Sequence, residues 1–156
     1  GDKQPPVKVG DLVDVVGTYL EYYEISRLSD EPEIIPKDGT GETINPRKVL
    51  PQDIADDGGL SEAYESMLVR VQNVEVTNSN PDSPDNFGEF EIWLYGERAP
   101  SQGGVRVDDF LIGGWSGGQP AKGTRYESIT GIGGYSFYHR KIYPRSQDDL
   151  VRGSLR

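Results

Sequence analysis

"MLVRVQNVEVTN", residues Met67–Asn78, is the stretch on which the fold turns. Leu68, Arg70, Gln72, Val74 and Val76 lie on one parity, and Val69, Val71, Asn73, Glu75 and Thr77 on the other, the two-residue period of a β-strand. The apolar parity changes at Gln72–Asn73. A strand does this where it bulges or passes between the faces of a curled sheet.

Working outward, four more runs carry strand chemistry: "GEFEIWLYG" (88–96), "VRVDDFLI" (105–112), "YESITGIGGYS" (126–136) and "FYHRKIYP" (137–144). Upstream, "VKVGDLVDVVGTYLEYYEISRL" (7–28) predicts two strands, near 11–20 and 22–29, with a bend at Gly17. "EIIPK" (33–37) predicts a short strand stopped by Pro36, and residues 38–59 a long loop anchored by Val49, Leu50 and Ile54. "LSEAYESM" (60–67) is the helical candidate, with Ser61 as cap and Tyr64, Met67 and Leu68 on one side. The expected organisation is a polar lead-in over 1–6, a single domain over 7–151 and a tail over 152–156, without internal repeats.

Composition agrees with an all-β class. Twenty glycines and eleven prolines in 156 residues demand many turns, and nine tyrosines offset a hydrophobic fraction of 34%. Glycine-bent first strands, roughly five to eight strands and one short helix predict an OB-like small β-barrel, partly open, with long loops. A sandwich is the alternative. The net charge of −10 disfavours nucleic acid, whose phosphates are held by clustered Lys and Arg. The absence of cysteine removes disulfides, thiolate metal sites and cysteine nucleophiles. No apolar run approaches the ~20 residues of a membrane helix, so membrane insertion is not expected. No signal peptide is seen in this chain.

The segments "VGDLVDVVGTYLEYYEISRL", "PQDIADDGGLSEAYESMLVRVQNVEVTN", "FGEFEIW", "VRVDDFL" and "SITGIGGYSFYHRKIYPRSQDDL" resemble the OB-fold module of predicted extracellular nucleases and of secreted myxobacterial-type surface proteins. The most specific pieces are Tyr64–Glu65 leading into Leu68-Val69-Arg70-Val71, and Pro144-Arg145 followed by Asp148 and Leu150. In those nucleases the chemistry belongs to a separate metal-dependent domain. The resemblance therefore implies an exported barrel at the cell surface or outside the cell, with no activity of its own.

Among the motifs, "GGWSGG" around Trp115 and Ser116 matches the nucleophile elbow of hydrolases, and Glu127 and His139 follow in triad order. That elbow requires a strand-turn-helix, and no helical pattern follows Gly118, so a glycine-rich loop is the better reading. The adjacent acids Asp56–Asp57, Asp108–Asp109 and Asp148–Asp149 read as solvated surface. In "NSNPDSPDNFGEF" (78–90) the oxygens of Asn78, Asn80, Asp82, Asn86 and Glu89 fall at the first, third, fifth, ninth and twelfth places of a calcium loop. Ser83 stands where that loop needs glycine, and the flanks are strands, so a proline-stiffened connector competes with calcium as cofactor.

Trp115, between two pairs of glycines, is expected to be exposed, and with Tyr22, Tyr23 and Tyr138 forms the candidate interaction set. The function expected is a non-catalytic interaction or structural module whose partner is another protein or a second copy, in the limit a homo-polymer. The alternative is an OB module for glycan or single-stranded nucleic acid, accessory to an extracellular nuclease.

Overall fold

The computed structural model describes residues 7–23, 25–28 and 31–153, so the lead-in over 1–6 and the last three residues of the tail lie outside it. The chain divides into two compact units, Gly1–Asn45 and Pro46–Arg156. In the first unit, β1 (Asp11–Val16) pairs antiparallel with β4 (Glu33–Thr40), and β2 (Tyr19–Tyr22) with β3 (Ile25–Leu28). These are two separate two-stranded ribbons, with Gly17 at the bend between β1 and β2. β4 does not stop at Pro36, which stands opposite Val13. A two-stranded ribbon leaves each strand a free edge, where a missing N–H breaks no ladder bond.

The second unit runs β5 (Arg47–Lys48), α1 (Pro51–Ile54), β6 (Leu68–Asn78), β7 (Phe90–Leu94), β8 (Val105–Val107), β9 (Arg125–Ser136), β10 (His139–Tyr143) and β11 (Leu150–Arg152). Strands β6, β7, β8, β10 and β9 pair in that order, and β9 pairs back to β6, closing a five-stranded barrel. The β8–β10 pair is parallel and the other four ring pairs are antiparallel. This is an OB-like small barrel in an all-β chain. Its strands start at Leu68 rather than at the glycine-bent strands near the N-terminus. The expected helix over 60–67 is a single 3-10 turn, Glu62–Tyr64, without a side-chain cap from Ser61. The chain leaves it at Ser66, whose φ of +61° lets its N–H reach the Gly133 carbonyl at 2.8 Å. The short α-helix lies earlier, at α1, where proline opens the helix and the Asp53 carboxylate accepts the Leu50 N–H at 3.2 Å.

β6 explains its own parity switch. Val69 and Val71 are buried before Asn73, and Val74 and Val76 after it, while Gln72 and Asn73 are exposed. Asn73 takes a left-handed φ of +52°, and its carbonyl accepts the Tyr95 N–H at 2.8 Å. The four valines meet Phe90, Ile92, Val105, Val107, Ile129 and Ile142 inside the barrel. Burying each such side chain contributes about 1.5–3 kcal/mol, so this core carries the unit. Close approach needs glycine at several points, Gly131 among them. A Cβ on Gly131 would lie 2.5 Å from the Tyr143 carbonyl oxygen across the β9–β10 pair.

Candidate interaction surface

The site grows from one row of the barrel wall. Glu91 of β7 stands beside Arg106 of β8, and Arg106 beside Lys141 of β10. Their neighbours Ile92, Val105, Val107 and Ile142 fill the interior, so alternation sends these three outward. Arg106 and Lys141 are nevertheless buried, because the β6–β7 loop folds over them. Arg106 Nη1 lies 2.7 Å from Asp82 Oδ1 and 2.9 Å from Glu89 Oε2. Lys141 Nζ is bonded to Glu89 Oε1 and lies 3.2 Å from Asp108 Oδ2.

Burial disfavours both cations, but their carboxylate partners outweigh it and both keep pKa values above the ordinary ones. Asp108 is the looser partner of Lys141, and burial raises its pKa despite that cation and the Phe110 N–H. Burial likewise raises Glu91 against the opposing pull of Arg106, and raises Asp109 with help from the Asp108 charge. The loop is tied down by further bonds. Trp115 Nε1 donates to the Gly88 carbonyl at 2.5 Å, Gln119 Nε2 donates to the Glu89 carbonyl, and Asn86 Nδ2 donates to Gln119 Oε1 at 2.8 Å.

The five calcium candidates therefore have partners of another kind. Asn78 Oδ1 accepts the Asn80 N–H at 3.1 Å, and Asn80 Nδ2 donates to the Asp85 carbonyl at 2.9 Å. Asn86 Oδ1 accepts the Gly88 N–H at 2.9 Å. Only Asp82 and Glu89 are brought together, and they meet on Arg106. Asn80 Oδ1 and Asp82 Oδ2 are buried without a hydrogen bond. Among the described residues, no three His, Asp or Glu side chains converge as a metal cluster.

Trp115 is not the exposed aromatic expected from its glycine flanks. Those glycines let the loop fold back, so the indole packs edge-on against Phe90, ring centres 5.0 Å apart, at the margin of the core. Ser116 sits in a turn with no helix after it, and His139 Nδ1 lies 2.8 Å from Asp56 Oδ2 instead of forming a triad. Asp57 accepts from Gln102 at 2.6 Å, and Asp149 pairs with Arg145 at 2.8 Å. β8 ends at Val107, so Asp108 and Asp109 lie in the connection that follows it, and Asp108 is buried rather than the solvated surface acid expected. Tyr22 and Tyr23 are exposed in the first unit, in edge contact at 4.4 Å.

Around the charged row stands a rim of exposed rings. Relative exposure is 68% for Phe87, 78% for Phe110, 86% for Phe137 and 82% for Tyr138. Gly88, next to Phe87, lies so close to Asp109 that a Cβ there would come within 2.5 Å of its carboxylate. Phe110 meets Tyr143 edge-on at 6.3 Å, and the Phe137 ring centre is 5.7 Å from Lys141 Nζ. Three connections thus bring phenylalanines to one region of the barrel. Phe137 and Tyr138 form the β9–β10 turn with φ of +50° and +67°. Positive φ at both central residues is the pattern that favours Asn-Gly, and side chains there are strained by about 1–2 kcal/mol each.

Tyr138 belongs to the set read from the sequence; Phe87, Phe110 and Phe137 do not. Their signal was available, since "DNFGE" and "DDFLIGG" place a phenylalanine among acids and glycines, where no core position is expected. Compared with known protein families, with curated proteins and with solved structures, the chain matches none.

Proposed function

We propose that this chain is a non-catalytic interaction module that binds another protein through the aromatic rim of its barrel. The β9–β10 turn carries the reading: two exposed aromatics occupy positions where a turn selected for stability alone would hold Asn-Gly. Rings held rigidly on a turn bury a large area on contact at little entropic expense. The charged row beneath them consumes its own cations, since Arg106 and Lys141 are each held by two carboxylates. Few positive groups on that wall are left for phosphates, which counts against single-stranded nucleic acid. An exported setting, at the cell surface or beyond it, is part of the proposal and rests on the resemblance to extracellular OB modules.

A photo-crosslinking phenylalanine analogue at position 137 tests the reading in the extracellular fraction of producing cells. One discrete protein adduct is expected, with none from the same analogue at the exposed position Glu127. No adduct, or equal adducts from both positions, would overturn it.

One observation favours a second, glycan-binding reading. Gln72, Asn73, Tyr95, Arg125, Tyr126, Glu127 and Gly153 line an open hollow of about 560 Å³, within the range of small-ligand sites. Arg125 lies 3.7 Å from the Tyr95 ring centre, so a planar face is combined with amide and carboxylate groups suited to sugar hydroxyls. Retention on immobilised glycan that is indifferent to salt and lost in Tyr95→Ala would support it; wild-type flow-through would remove it.

A further inference from the structure

The two units share a plan that their sequences conceal. In β9–β10 the paired residues are Gly133–Ile142, Gly134–Lys141, Tyr135–Arg140 and Ser136–His139. In β2–β3 they are Tyr19–Leu28, Leu20–Arg27, Glu21–Ser26 and Tyr22–Ile25. One offset of 114 positions relates every pair (22 to 136, 25 to 139). The same offset carries the bend at Gly17 onto Gly131, and Tyr23, with φ of +50°, onto Phe137, with φ of +50°. It also carries Asp14 and Val15 onto Ser128 and Ile129. The first two pair with Ile35 and Ile34 of β4, the second two with Val151 and Leu150 of β11. Strands β1 to β4 therefore repeat β9 to β11 in register, although Gly17 and Gly131 are the one identity over residues 11–28.

In the second unit that hairpin is completed by β6, antiparallel along β9, and by β8, parallel along β10. Among the described residues of the first unit, no strand takes either place. The consequence is written in the side chains. Tyr126, Ile129, Thr130 and Ile142 are 4%, 0%, 3% and 0% exposed; their counterparts Leu12, Val15, Val16 and Leu28 are 43%, 48%, 56% and 40% exposed. No described residue of the first unit is buried. Two-stranded ribbons of this kind are marginal in water without a covering layer.

We infer that the first unit is the closing part of a second barrel, and that a β-meander lying outside residues 1–156 completes it. The meander's first strand runs antiparallel along the open edge of β1, and its third runs parallel along β3. Its first strand carries apolar residues in the β6 pattern, with the counterpart of Val71 opposite Val15, as Val71 stands opposite Ile129. A second copy of residues 7–153 is not the occupant, because the β6–β7–β8 meander among the described residues is already closed on its own β9 and β10. Main-chain pairing supplies affinity in such strand addition, and the alternate side chains supply specificity.

Hydrogen exchange on the full chain tests this, with a synthetic peptide of residues Met67–Asn78 as the probe for the missing strand. Saturating peptide should slow amide exchange over residues 11–18 by about tenfold or more. Val15→Asp and Val16→Asp should abolish the slowing while the second unit melts as in the wild type. Unchanged exchange in the wild type, or equal slowing in the variants, would overturn the inference. So would slowing that follows the chain's own concentration without peptide, which would make a second copy the occupant. Only first-unit amides are read, so the outcome is independent of the aromatic rim.

Discussion

Lys141 reaches two carboxylates from a side chain that is 1% exposed, where water cannot replace a lost partner. Lys141→Met should therefore destabilise the barrel by about 3–5 kcal/mol, and Lys141→Met with Glu89→Gln by clearly less, both read from denaturant melts. Asp108, Asp109 and Glu91 have pKa values raised by burial. Their contribution is thus full below the ordinary values of 3.8 and 4.5 and is lost as pH rises through the raised ones. Asp149 has the opposite sign. Burial opposes its charge, Arg145 outweighs that and lowers its pKa, and its contribution is lost as pH falls below 3.8. Asp108→Asn should flatten the fall in melting temperature as pH rises above 3.8; slopes equal to the wild type would remove Asp108 from that role. In the 78–89 loop, the guanidinium on Asp82 repels a divalent ion, so melts in chelator and in excess calcium should coincide. Oxygen spacing made Asn78, Asn80, Asp82, Asn86 and Glu89 legible as a set. It could not reveal that Arg106 and Lys141, far along the chain, would claim two of them.

At the scale of the element, β6 was the most legible piece because its period of two and its switch at Asn73 are both local. Pro36 misled for the complementary reason: whether proline ends a strand depends on which edge is paired, and that is set by β1. Trp115 misled because glycine flanks say how freely a loop moves, not where it folds back. The β9–β10 turn carries the sharpest element-level prediction. Phe137→Asn with Tyr138→Gly supplies the residues that positive φ at both positions favours, and should stabilise the barrel by about 1–2 kcal/mol. Thermal or denaturant melts decide it; a less stable variant would mean that the two rings support the fold rather than strain it.

For the whole molecule, the barrel class was legible from glycine, proline and strand spacing, whereas its division into two units was not. The first unit reads as ordinary strand chemistry, and only the pairings reveal that it repeats the hairpin that closes the barrel. No single-residue pattern encodes which strand meets which, because ring closure joins β6 to β9 across the length of the unit. Function follows the same division between local and distant. Tyr138 was visible as one of the candidate interaction aromatics, but the rim exists because three connections converge on the wall around Lys141. The rim stands or falls on how the Phe137→Asn, Tyr138→Gly variant migrates in size-exclusion chromatography of the native extracellular fraction. The wild type should elute with its partner, and the variant should elute free while melting at a higher temperature. A variant that stays in the complex would contradict binding through the aromatic rim.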